Sequence, residues 1–133
     1  MQLSLRSGEK LYLNGAVIRV DRKVSIELMN DVTFLLEAHV LTPADTTTPL
    51  RQLYFTIQVL LMDPASNAQG QYESMLKTLL DTFETTEIRV GLMNVRDLMN
   101  AKRRFEALKT IRRMFPIEAQ ILSPQPVLIS MSA

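Results

Sequence analysis

Two groups of cations are the residues of this chain best placed to do chemistry, and that chemistry is the neutralisation of phosphate. Arg6, Arg19, Arg22 and Lys23 stand in or beside short stretches of alternating apolar residues. Lys102, Arg103, Lys109, Arg112 and Arg113 stand in a later stretch of helical period. On a wheel of about 100° per residue, Lys102, Lys109 and Arg113 fall within about 40° of one another, with Arg103 and Arg112 flanking. Leu108, Ile111 and Phe115 take the opposite face, and Arg104, inside that apolar stripe, is expected to snorkel or to meet a carboxylate. Cations serve a polyanion, and flat groups serve its unstacked bases. Tyr12 lies off the Leu11/Leu13 face and is the best candidate for a stacking platform, whereas Tyr54 and Tyr72 lie in apolar helical stripes and read as core.

Other chemistries find little support. The chain has no cysteine and one histidine, His39, so neither a thiol nucleophile nor a zinc cluster is expected. Gly8, Gly15, Gly70 and Gly91 do not assemble into a phosphate loop. Glu84 and Glu87, near a helix start, read as partners of the helix dipole. No serine or aspartate spacing matches a nucleophile with its base. No catalytic residue, metal or cofactor is expected.

These residues must be positioned by two kinds of element. Apolar residues alternate at Leu3/Leu5, Leu11/Leu13, Val24/Ile26/Leu28 and Phe34/Leu36/Ala38/Val40. Spacing by two predicts short strands with one apolar face. Turn signals separate them: Ser7-Gly8, Asn14-Gly15, Asp21-Arg22-Lys23 and Asn30-Asp31. Asn14-Gly15 is the strongest hairpin signal of the chain. After residue 41 the period becomes helical. Thr48-Pro49 starts a helix over 49–62, stopped by Asp63-Pro64. Further helices are expected over 71–83, over 87–99 with Thr86 as cap, and over 101–115, ended by Pro116. The tail, 123–133, is frayed or adds a strand through Val127-Leu128-Ile129.

The expected fold is therefore α+β: a small N-terminal antiparallel sheet or open barrel followed by about four α-helices. All 133 residues form one domain, with the sheet part at 1–41 and the helical part at 48–118. No apolar run reaches the roughly eighteen residues of a membrane span, and the start lacks the pattern of a secretion signal. A cytoplasmic protein is expected. Net charge is +1, but it is unevenly spread. Residues 1–41 are balanced, five basic against five acidic; residues 42–88 carry −4 and residues 89–133 carry +5. Such polarity marks a polyanion site or two helical halves that attract each other.

The block LYLNGAVIRVDRKVSIELMNDVTFLLEAHVL, followed by TTTPLRQLYFTIQ and FEALKTIRRMFPIEAQIL, resembles the FlbT family of flagellar biosynthesis regulators. The resemblance runs from Leu3 to about Leu122. It implies a post-transcriptional regulator that associates with the untranslated 5′ leader of flagellin messenger RNA and alters its translation and decay. Members repress in some cases and activate in others. A companion of the FlaF type is tied to the same pathway. The alternative is therefore a protein adaptor that binds such a companion, or flagellin, and meets RNA only in complex. The opening strands are also similar to those of the carbon-storage regulators, small RNA-binding proteins that end after the sheet, where this chain continues into helices. An exposed sheet edge would also permit homo-oligomers.

Overall fold

Five short strands precede four helices in a computed structural model that describes residues 1–63 and 65–123. The strands are β1 (Gln2–Leu5), β2 (Lys10–Leu13), β3 (Ala16–Arg19), β4 (Val24–Glu27) and β5 (Phe34–Leu36). The helices are α1 (Pro49–Met62), α2 (Gln69–Thr82), α3 (Thr86–Asn100) and α4 (Arg104–Leu122). The architecture is α+β. The notional tail strand at Val127-Leu128-Ile129 lies outside the described residues.

All three strand pairs are antiparallel and fall into two sheets, one of two strands and one of three. β1 pairs with β4, setting Leu3 opposite Ile26 and Leu5 opposite Val24. β2 runs between β3 and β5, so Leu11 faces Ile18 on one side and Leu36 on the other. Asn14 and Gly15 both take positive φ, 49° and 85°, the conformation a two-residue hairpin turn demands. Leu3, Leu5 and Leu11 form a small buried core between the ladders, sealed by Leu13, Val24, Ile26, Phe34 and Leu36.

The other face of β2–β5 rests on the helices. Leu35 is fully buried there, and Tyr12, its cross-strand partner, packs against the same helical core. Tyr12 is thus half-buried between layers rather than presented to solvent. Alternation marks one face of a strand, and the central strand of this sheet is covered on both.

Beyond Leu36 the alternation Ala38/Val40 does not continue the strand, because Glu37–His39 closes a 3-10 turn with Val40 N–H donating to the Glu37 carbonyl. Side chains take over the ladder's work. Glu37 Oε1 accepts the Lys10 N–H at 2.7 Å. Buried Gln58 accepts the Leu41 N–H at 2.8 Å and donates to its carbonyl at 2.9 Å, as a neighbouring strand would.

α1 begins as its sequence demands, with the Thr48 hydroxyl accepting the Arg51 N–H and Pro49 in the first turn. Its apolar stripe, Leu50, Leu53, Tyr54, Ile57 and Leu60, forms the centre of the main core. Ile88, Leu92 and Val95 of α3 and Leu108 and Ile111 of α4 complete it. Several helix ends differ from expectation, and α4 starts at Arg104 rather than at residue 101. Thr86 is the first residue of α3 rather than its cap, and Thr85 in the cap position makes no side-chain bond. Pro116 lies inside α4, which runs on to Leu122. The proline removes one intrahelical hydrogen bond. Contacts beyond it hold the helix: Ile117 packs on the core, and Glu118, 1% exposed, bonds to the start of α1.

Candidate nucleic-acid interface

The register of the strands gathers cations at one end of the sheet. Tight pairing through Asn14-Gly15 sets Lys10 opposite Arg19. The β1–β4 register ends with Leu5 opposite Val24, so Arg6 and Lys23 are next in line. The β1–β2 and β3–β4 turns lie side by side: Gly8 N–H donates to the Val20 carbonyl at 2.7 Å, and Ser7 Oγ donates to the Asp21 carbonyl at 3.1 Å. Arg6, Lys10, Arg19, Arg22 and Lys23 are all exposed at this tip.

The carboxylates nearby are largely engaged elsewhere. Glu9 accepts the Arg6 backbone N–H at 2.9 Å, and Glu37 accepts that of Lys10. Asp21 pairs with Arg22 at 3.3 Å with both side chains mostly in solvent, a contact of little energetic weight. Among the described residues, the side chains of Arg6, Lys10, Arg19 and Lys23 form no ion pair within 4 Å. Lys10 joins the cations that the sequence marks only once the strands are paired. The two-residue turn was enough to find it, because pairing Leu13 with Ala16 dictates Lys10 with Arg19.

The helical group is divided by the structure. Lys102 is not on α4. It sits in the α3–α4 turn with φ 60°, exposed. Arg103 precedes the helix, and its guanidinium is bound by Glu106, with Nε at 3.0 Å from Oε1. Arg112 is half-buried. Its Nη1 donates to the Tyr54 hydroxyl at 2.9 Å, and that hydroxyl donates to the His39 carbonyl. Burial, opposed by Arg112, raises the Tyr54 pKa, while burial and then the Arg112 charge lower that of His39. Arg112 therefore serves the fold. Lys109 and Arg113 remain, exposed one turn apart on α4. Among the described residues Arg104 meets no carboxylate; its Nη1 lies 3.5 Å from the Leu60 carbonyl. Arg51, from α1, stacks over the Phe115 ring at 4.3 Å from its centroid.

The arrangement offers cationic donors to an extended anion. Among the described residues no group of three or more histidines, cysteines or carboxylates could hold a metal ion, and no helix is long and apolar enough to cross a membrane.

Comparison with known proteins places the chain. The family model described as "Flagellar protein FlbT" matches residues 1–122. The chain is 54% identical over 129 residues to the "Probable flagellum biosynthesis repressor protein FlbT" of Brucella ovis, covering 96% of this chain and 85% of that one. The protein of the same description from Brucella abortus (strain 2308) shares the same identity over the same length. The one from Brucella anthropi is 50% identical over 135 residues, 100% of this chain and 89% of the relative. No solved structure matches. By residues matched and by identity across nearly its whole length, this chain belongs to the FlbT family of flagellar proteins.

Proposed function

We propose that this chain is a cytoplasmic post-transcriptional regulator of flagellin synthesis that binds the untranslated leader of flagellin mRNA through the strand tip and alters its translation and decay. The description of its relatives as probable repressors supports the repressing sign. The observation that carries the reading is the gathering of Arg6, Lys10, Arg19, Arg22 and Lys23 at one end of the sheet. Lys109 and Arg113 extend the cationic surface along α4. Each such side chain releases counterions when it meets a phosphate, so binding would fall steeply with salt.

The test is a titration of labelled leader RNA at two salt concentrations against the native chain and Arg19→Glu/Lys23→Glu. Loss of about tenfold or more in affinity, with a shallower salt slope, is expected. Unchanged affinity at low salt would exclude the tip as the contact.

A second reading is favoured by a different observation. β3 is an edge strand with all four residues exposed, Val17 to 60% and Ile18 to 36%. An apolar edge with unpaired backbone groups is a template for another strand. On this reading the chain is an adaptor that pairs with a FlaF-type companion, with flagellin or with a second copy, and reaches RNA only in that complex. RNA binding that appears only after the companion is added would favour it.

A further inference from the structure

We propose that the cleft between the far end of the sheet and the start of α4 receives one unstacked nucleotide of the bound RNA, its base against Phe34 and Phe105 and its phosphate on Lys102 and Arg104. This rests on the reading of the chain as an RNA-binding regulator and names a second contact for it.

The cleft has a volume of about 570 Å³ and lies where β5 begins and β1 starts, opposite the cationic tip. That size suits a small ligand. Its lining combines three chemistries. Phe34 and Phe105 supply flat apolar surface, with ring centroids 5.4 Å apart and planes inclined by 37°. Each ring is anchored by a different core, Phe34 by the small sheet core and Phe105 by the helical one, so the platform is held from both sides. A base stacks on such a surface whatever its identity.

The cations come from the turn that the α3–α4 junction forces. Lys102 N–H donates to the Met99 carbonyl at 2.9 Å and Arg103 N–H to the Leu98 carbonyl at 2.8 Å. These bonds close a tight turn with Lys102 in the left-handed region, where a lysine is uncommon. Arg104, half-buried, has one distant contact, the Leu60 carbonyl at 3.5 Å, and its Nε is buried without a hydrogen-bond partner. Arg104 lines the cleft, so its guanidinium charge attracts a phosphate bound there. Arg103 is occupied by Glu106, so Lys102 and Arg104, with the Met1 ammonium beside them, are the cleft's cations outside that ion pair. The Asp31 carboxylate, also in the lining, offers an acceptor for the amino or imino group of a base. Aromatic surface, paired cations and one acceptor together fit a nucleotide better than a simple anion, which would not use the rings. Four strand residues separate the cleft from the tip, ~13 Å at about 3.3 Å per residue, a distance that a few nucleotides cover.

The experiment is photo-crosslinking of leader RNA carrying 4-thiouridine to the full chain, followed by tryptic mapping, with titrations of Lys102→Gly and Phe105→Ala. Crosslinks are expected on residues 105–109 and 24–51, the tryptic fragments bearing Phe105 and Phe34. Lys102→Gly suits a φ of 60°, so it removes the charge without burdening the turn. It should weaken binding severalfold and reduce the salt slope by about one, and Phe105→Ala should weaken binding about tenfold. Leader binding with crosslinks confined to other fragments and Lys102→Gly at native affinity would overturn the cleft and leave the regulator reading intact. A native chain that binds no leader RNA at low salt overturns both.

Discussion

The Glu118 carboxylate accepts the backbone N–H of Leu50 at 2.8 Å across 68 residues of sequence, and both residues are buried. The bond answers two questions at once. It satisfies one of the unpaired N–H groups that every helix start exposes, here sunk in the core. It also anchors α4 beyond Pro116. A negative side chain at this end of α1 is favoured by the helix dipole as well. Glu118→Ala is expected to cost about 2–3 kcal/mol, the range for losing a charged partner of a buried donor. Glu118→Gln keeps an acceptor oxygen and should cost less. Urea unfolding of the three proteins checks the order; an alanine variant within about 0.5 kcal/mol of native would mean that solvent replaces the carboxylate.

Tyr54 and Tyr72 are both buried, yet their hydroxyls differ in company. Tyr54 donates to the His39 carbonyl and accepts from Arg112, whereas the Tyr72 hydroxyl has no hydrogen-bond partner among the described residues. Tyr54→Phe strands two polar groups and should destabilise the chain by about 1–3 kcal/mol. Tyr72→Phe removes a buried hydroxyl without breaking a bond and should leave stability unchanged or slightly raised. Burial, helped by the neighbouring Glu73 charge, pushes the Tyr72 pKa up to about 12. In an alkaline absorbance titration, Tyr72→Phe should delete the phase near that pH. Equal destabilisation by both substitutions would contradict the bonding pattern.

His39 gives the fold a pH dependence of defined sign. Burial, and secondarily Arg112, depress its pKa below the ordinary 6.5. The unfolded chain therefore binds the proton more readily than the folded one. This contribution to stability is fully present above pH 6.5 and is lost as the pH falls towards and through the depressed value. The comparison is with His39→Gln, which removes the imidazole and leaves the other ionisable groups in place. Between pH 7 and 5 the native chain should lose more stability than the variant, measured by denaturant midpoint at each pH. Parallel curves would mean that His39 titrates alike in both states.

Much of this was readable in the residues, and the misreadings share a cause. Asn14-Gly15 dictated a hairpin and its register, and Thr48-Pro49 with Asp63-Pro64 bounded α1 correctly. These are signals within a few residues of the feature they set. Pro116 reads as a stop because its local meaning is clear and the bond from the Leu50 N–H to Glu118 is not visible locally. Val40 reads as strand because Gln58, which replaces a strand partner for Leu41, lies on a distant helix. Alternation leaves Tyr12 to solvent, but the helical core covers that face of β2 at Tyr12. At the tip, the cations were found singly, but their convergence needed the strand order. On α4, the wheel could not tell that Lys102 falls outside the helix or that Arg112 is claimed by Tyr54.

That claim on Arg112 separates two kinds of cation on α4 and yields a last prediction. Arg112 donates to Tyr54, whose hydroxyl ties the 3-10 turn at Glu37–His39 to α1; its guanidinium carbon lies 6.0 Å from the Tyr54 ring centroid. Arg112→Glu would set a carboxylate against that hydroxyl's neighbours and should lower stability by about 2–4 kcal/mol, as expected for an unpaired charge placed in a half-buried network. Lys109→Glu/Arg113→Glu changes charge on a solvated face and should leave the unfolding midpoint nearly unchanged. Any loss of RNA affinity in the double variant then reports on contact, whereas loss in Arg112→Glu reports on folding. Thermal melts and circular dichroism on both proteins, run beside the RNA titration, make the distinction. If Arg112→Glu melts with the native chain while Lys109→Glu/Arg113→Glu collapses, the roles drawn for these three cations are reversed.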